Sequence, residues 1–567
     1  MSYFTAENLL TRIDGHHEVI RGLRKEIEKQ NDAISHYKGC LNLVRPLINT
    51  LLPKELLAEI FREYMLICTP PGYHEMSMTA SHDLDHPPYE WLKVAHVCRY
   101  WRSIALSHAT LFAYVLLNRP LSKSRTEVAK EWLSHSGVAP IHTVGVLNEN
   151  GPLWEPIIEH LPHIVNLDIL LPNSQSEVSW PVSPLMKTVS CKLPEDEETR
   201  QLESNILDKF LGCLQSLESL AIDTASCQAI DWTRSPLPPS LRKLKVRSWT
   251  VLDADDVNRL ISMLAKLTSL GTLEMEKLLP LISDPIVGPE LPVTKPTIRV
   301  LRLSGGIIPV ITITKLIACS HIIQISIDTI LGDDTENAAL FRTFFETLAS
   351  EYQTHFLSLR HAKLEVGWSR HRRTYLVNFK GWPLRYSCVN KESPSVDITV
   401  YAEDRGRLHE LVNILCDTIY PSLDSLESLN IVLSHNNFDR DDEVIVTSCC
   451  HQLQGLRTLH LDAERSLLFA FMTSIGSRHG DILFPNLDSL HVICYNRRGF
   501  TAGHILRTRD LLTRRARRDA KPLEHLTLES IEEKEQWINT EIEEELEMLR
   551  ELVGSLTIIG EGKGSSD

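Results

Sequence analysis

Among the twelve cysteines of this 567-residue sequence no two stand in C-x-x-C spacing, and no N-x-[ST] sequon occurs. Reduced thiols, as in the cytoplasm or nucleus, are the expectation, not a disulfide framework. No apolar run approaches the roughly 18 to 20 residues that a membrane span needs. The first 22 residues, MSYFTAENLLTRIDGHHEVIRG, lack a basic region followed by an apolar one, so no secretory signal is expected. Basic residues are in deficit, 59 against 74 acidic ones, and the net charge of -15 argues against general nucleic-acid binding. Catalytic signatures are missing too: there is no G-x-S-x-G, no G-x-x-x-x-G-K-[ST], no G-x-G-x-x-G, no H-E-x-x-H and no calcium loop. The expectation is a non-catalytic chain with no metal and no cofactor. His74, His82, Asp83, Asp85 and His86 share one stretch, but without cysteine partners or helical spacing they read as a loop.

What is present suits several globular domains, 43% hydrophobic and 23% charged. Residues 1–49 carry a heptad pattern: Ile13, Ile20, Leu23, Ile27, Ile34, Tyr37, Leu41, Val44 and Ile48 alternate by three and four, interrupted by His16 and Gln30. Charged residues such as Arg21, Arg24, Lys25, Glu26, Glu28 and Lys29 fill the other faces. Two readings stay open: a coil that self-associates or binds a partner, and a single helix lying against the rest of the chain.

Residues 52–61 read LPKELLAEIF and residues 91–105 read WLKVAHVCRYWRSIA. Pro53 suits a helix start, where the N–H it lacks has no partner anyway, and Glu55 puts a negative charge in the first turn. Leu56, Leu57, Ile60, Phe61 and Tyr64 form one broad apolar face opposite Lys54, Glu59, Arg62 and Glu63. In the second segment Trp91, Val94, Val97 or Cys98, and Trp101 recur every three or four residues. Helices this short bury little surface alone, so part of the apolar face is expected to meet another chain.

These two segments resemble the F-box: Leu52, Pro53, Glu55, Leu56, Ile60, Phe61, Val97, Cys98, Trp101 and Arg102 match its pattern. Residues 65–90 separate the halves, an arrangement that resembles basidiomycete F-box-like proteins. The resemblance implies docking onto the Skp adaptor, and through it onto a cullin scaffold with its RING subunit. It also implies that Leu52, Pro53, Leu56, Ile60, Val97, Cys98 and Trp101 are adaptor-facing or box-core positions.

Beyond the box, L-x-x-L-x-[LIV] recurs: IVNLDI at 164, LESLAI at 217, LRKLKV at 241, LGTLEM at 270, IIQISI at 322, LESLNI at 426, LRTLHL at 456, LDSLHV at 487 and LEHLTL at 523, with a variant at 298. The gaps, mostly about 24 to 36 residues, hold a strand and a return helix, such as those expected at 253–270 and 408–423. Such units bury their apolar sides by stacking. The expected fold class is α/β: a helical coil (1–49), a helical box with an inserted loop (50–115), a linker and cap (116–160), and an irregular leucine-rich-repeat-like solenoid of parallel strands and helices (161–560), followed by a tail (561–567). Ala225, Trp249, Leu278, Gly306 and Ser434 hold the ninth position, where leucine-rich repeats carry Asn.

Residues 331–405 break the pattern and read as short alternating strands, an irregular or antiparallel insertion. Its Trp368, Arg370, Arg372, Arg373 and Trp382 are of types common at interfaces, making them the candidate target-binding residues; core packing plus a solvated turn is the alternative. Arg507, Arg509, Arg514, Arg515, Arg517 and Arg518 lie along and just beyond a helix and read as its solvated basic end, with a nuclear-import or acidic-ligand patch as the alternative. The functional expectation is a substrate receptor of a Skp/cullin/F-box ubiquitin ligase that holds an unidentified protein target. The alternative is a non-ligase interaction scaffold.

Overall fold

The computed structural model describes residues 6–44, 52–68, 90–117, 123–172, 178–193, 200–224, 237–248, 259–260, 262–278, 298–317, 322–330, 337–369, 374–383, 394–402, 405–423, 425–434, 453, 455–463, 484–494, 500–517, 520–530, 538 and 540–560. Two compact units divide the chain, Met1–Leu167 and Asp168–Asp567.

In the first unit α1 (Ala6–Val44) is an unbroken helix of 39 residues, about 58 Å at 1.5 Å per residue. Ile13, Ile20, Leu23, Ile27, Ile34 and Tyr37 are all exposed along it. A helix lying on the rest of the chain by that seam would bury it, and no described residue covers it. Next come α2 (Lys54–Cys68), a 3₁₀ turn (Glu90–His96) and α3 (Arg99–Ser107). They share one core with the 3₁₀ turn Ala109–Phe112: Leu57, Phe61, Met65, Trp91, Val94, Ile104, Leu111 and Phe112 are buried together. Residues 65–68, expected in the inserted loop, are the last turn of α2, because Met65 fills that core.

Residues 116–160 do more than link. In α4 (Lys123–Ser136), Trp132 joins the box core, with its ring 5.6 Å from that of Trp91 and 5.4 Å from that of Phe112. The strand β1 (Tyr114–Leu116) pairs in parallel with β2 (Ile141–Leu147), Tyr114 beside His142. In β3 (Ile164–Leu170) Asn166 donates to Thr143 O at 2.8 Å and accepts at its own carbonyl from Thr143 Oγ1 at 2.9 Å.

The second unit is a long, mostly parallel sheet with an open, solenoid-like arrangement. Its first strands, β4 (Thr188–Lys192), β5 (Ser219–Thr224), β6 (Lys243–Ser248), β7 (Thr272–Leu278), β8 (Val300–Gly306) and β9 (Gln324–Ile330), pair in chain order, all parallel. The hexads explain it. Leu220, Leu244, Leu273, Leu301 and Ile325 stand in register across β5 to β9, each buried, and the residues two positions on repeat the ladder. Val189 extends the ladder to β4 through a repeat that the leucine pattern hides, Met186-x-x-Val189-x-Cys191.

The irregular segment is woven into the sheet. Strand β10 (His361–Ser369) pairs antiparallel with β11 (Thr374–Trp382), which pairs antiparallel with β12 (Val396–Ala402). The outer two are parallel to the main sheet, β12 against β9 and β10 against β13 (Ser428–Ser434). The spatial order is therefore β9, β12, β11, β10, β13. Parallel order then resumes through β14 (Thr458–Ala463), β15 (Ser489–Cys494), β16 (Leu523–Ser530) and β17 (Val553–Gly560).

Helices cover the apolar side. Phe344 and Phe345 of α5 (Asn337–Glu351) and Leu411, Val412 and Leu415 of α6 (Arg405–Ile419) are buried, and these two helices pack together. The helix expected at 408–423 is thus present; that at 253–270 is helical at 259–260 and 262–264, and 265–270 are turns rather than helix. Late in the chain α7 (Ala502–Arg517) packs on α8 (Thr540–Arg550), whose Ile542, Leu546 and Leu549 are buried. Arg515 is not part of a solvated end. Buried, it donates to the carbonyls of Phe484 (2.5 Å), Leu487 (3.3 Å) and Lys521 (3.0 Å). Arg509 pairs with Glu545 at 2.7 Å, and Arg518 lies outside the described residues.

Candidate functional site

Helix α2 starts as its sequence directs. The N–H groups of Leu56 and Leu57 both donate to Pro53 O at 3.1 Å, closing the first turn around the residue that cannot donate. On its polar side the Arg62 guanidinium reaches Glu59 at 2.5 Å and Glu63 at 3.0 Å. That hydrogen bond holds the Glu59 carboxyl below its ordinary pKa. The apolar side splits. Leu57 and Phe61 are buried to 1% and 0% exposure, whereas Leu56 and Ile60 remain 52% and 49% exposed. One broad face expected from spacing is therefore two stripes, one filling the core and one facing solvent.

The second segment is not one continuous helix. Trp91 and Val94 are buried in the 3₁₀ turn, Val97 is 54% exposed, and Cys98 is extended at φ -158° and ψ 170°. Its sulfur accepts the Trp101 N–H at 3.4 Å, capping α3, so the recurrence that looks helical spans two elements and a cap. Arg102 ties them together by donating Nε to Ala95 O at 2.9 Å. Half-buried Trp101 lies with its ring 5.0 Å from that of Phe61, joining the two sequence halves. The residues between Cys68 and Glu90 do not prevent a common core.

Of the seven sequence-predicted residues, Pro53, Leu56, Ile60 and Val97 are exposed; Leu52, Cys98 and Trp101 are partly buried, Leu52 and Trp101 against the core. Two further exposed apolar residues, Ile67 at the end of α2 and Leu106 in α3, escaped the motif reading. Ile67 was discernible in the sequence as the i+7 continuation of Ile60. A family model described as F-box-like matches residues 50–118. These residues form an F-box-like domain. The match reaches past the two helical segments to the aromatic Phe112 and to β1, the part of the F-box-like domain against which Trp132 packs. No curated protein matches the chain. The F-box-like domain indicates a role in protein–protein interaction, with binding to Skp-type adaptors implied.

The candidate target residues separate. Trp382 is 8% exposed at the end of β11 and packs in the sheet, so its ring is not available to a target as expected. Trp368 lies on β10 opposite Tyr375, while Arg370, Arg372 and Arg373 lie outside the described residues, as do His74, His82, Asp83, Asp85 and His86. Outward side chains of the parallel strands form rows that motif reading missed. In one, Arg302 and Lys243 reach Glu274 at 2.8 and 3.4 Å, Lys245 reaches Glu276 at 2.7 Å, and Arg247 bridges Glu276 (3.1 Å) and Asp223 (3.8 Å). In another, His460 lies 3.1 Å from His491, which lies 2.8 Å from Glu529. Burial, then the neighbouring His491, pushes the His460 pKa down. Among the described residues no cluster could hold a metal, and no helix is long and apolar enough to cross a membrane.

Proposed function

We propose that this protein is a substrate receptor of a Skp/cullin/F-box ubiquitin ligase, binding the adaptor through its F-box-like domain and a protein target through its second unit. The observation that carries the reading is the solvent-facing set Leu56, Ile60 and Val97 on a domain whose own core is complete without them. Exposed apolar residues gathered on one small domain favour a partner over water. In this proposal Leu52, Pro53, Cys98 and Trp101 shape the docking face. The outward rows of charges and imidazoles on the sheet are where a target is held, in the manner of a leucine-rich-repeat domain. The contribution to catalysis is proximity: a tethered target lysine gains effective concentration near the conjugating enzyme. The location is the cytoplasm or nucleus, where such ligases work.

The test is affinity purification of the full chain from cells. Adaptor and cullin should both be recovered, and both should be lost with Leu56→Asp combined with Ile60→Asp. Adaptor without cullin would replace the receptor reading with that of a scaffold.

A further inference from the structure

We propose that α1 is one strand of a parallel, in-register, two-stranded coiled coil made with a second copy of this chain. From Ile13 to Tyr37 the described seam runs three and a half heptads, within the roughly three to four that mark a coiled coil, and every apolar residue on it is exposed. A lone helix gains nothing from holding six large apolar side chains in water; pairing buries them.

The residue types select the number of strands. The first seam position of each heptad holds Ile13, Ile20, Ile27 and Ile34, and the second holds Leu23 and Tyr37 along with the two polar residues. Isoleucine at the first position with leucine at the second favours two parallel strands over three or four.

The polar residues select the partner and its direction. His16 and Gln30 both occupy the second seam position. In a parallel, in-register pair each layer is made of identical residues, so Gln30 faces Gln30 and His16 faces His16. Amide and neutral imidazole each carry a donor and an acceptor, so each satisfies its own twin. In an antiparallel pair the second position faces the first, which is isoleucine throughout this stretch, and the buried amide would lose its partner.

Charge agrees. Of the two sets of edge positions that face each other in an antiparallel pair, one holds His17, Arg24, Asn31 and Lys38 with no acid among them, and the other holds Arg12, Val19, Glu26 and Ala33. In the parallel pair Arg24 faces Val19, Lys38 faces Ala33, Asn31 faces Glu26 and Arg12 faces His17, which relieves the repulsion at Arg24 and Lys38. The two neighbours of the seam that are themselves apolar and exposed, Leu10 and Val19, broaden the buried strip. The assembly carries two F-box-like domains, and the inference does not depend on what they bind.

Light scattering on the purified full chain at micromolar concentration tests it, with circular dichroism to verify folding. The native chain should have the mass of two copies, and Ile20→Asp with Ile27→Asp should have the mass of one. A Leu23→Cys chain, oxidised and mapped by mass spectrometry, should join its two introduced thiols, which only the parallel register allows. A native mass of one copy, a two-copy mass that survives the double substitution, or no link between the introduced thiols would overturn the proposal.

Discussion

Neighbouring residues of α2 have opposite fates. Phe61 is buried against Trp101, while Ile60 beside it faces solvent. Phe61→Ala should destabilise the domain by about 3 to 5 kcal/mol, the usual cost of removing a buried aromatic. Ile60→Ala should stay within roughly 1 kcal/mol of native, as surface substitutions do. Amide exchange along residues 54–68 of the full chain would distinguish the two. In the second unit, Gly381 of β11 has no room for a side chain: a methyl there would come 2.5 Å from Leu359 Cδ1. Gly381→Ala should therefore cost about 1 to 3 kcal/mol through overpacking, measured as a fall in the denaturation midpoint. Asp168 is a titration probe. Burial pushes its pKa up from 3.8 to about 6, so the folded chain holds a proton that the unfolded chain has lost between those values. Stability from this group is thus full below pH 4, falls as the pH rises towards 6, and is level above. Asp168→Asn should remove that fall, gaining on the native chain by up to about 3 kcal/mol between pH 4 and pH 7 in denaturation experiments.

Among the elements, the parallel strands were the most legible, because the fourth and sixth residues of the hexad are the inward residues of each strand and the sheet stacks them in register. Strand β4 was hidden by Val189 and Cys191, which fill leucine positions without resembling them. The reversal of β10 to β12 was legible as alternation but not as topology, since alternation reports a half-buried strand and not its neighbour. The Arg515 staple was illegible: its partners are backbone carbonyls near residue 484 and at 521. Phe484 has φ at +53°, uncommon for an aromatic residue, and Arg515 grips its carbonyl. Arg515→Ala should leave buried acceptors unpaired at about 1 to 3 kcal/mol each, loosening the turn at 484–487 first; amide exchange of that turn is the readout.

At the scale of the whole molecule, the two halves of the F-box-like domain could be recognised separately. Their joining rests on Phe61, Trp91, Trp101 and Phe112, whose mutual packing a linear motif does not contain. The exposed stripe was half legible: spacing marked Leu56 and Ile60 as apolar, and only burial distinguishes them from Leu57 and Phe61. The central claim is that this stripe captures the Skp adaptor, and binding of purified adaptor to the purified full chain tests it most directly. The account predicts saturable binding that Leu56→Asp with Ile60→Asp abolishes while helicity is kept, and that Val128→Asp, an exposed site on α4, leaves unchanged. Undiminished binding by the double variant, or no binding by the native chain, would contradict it.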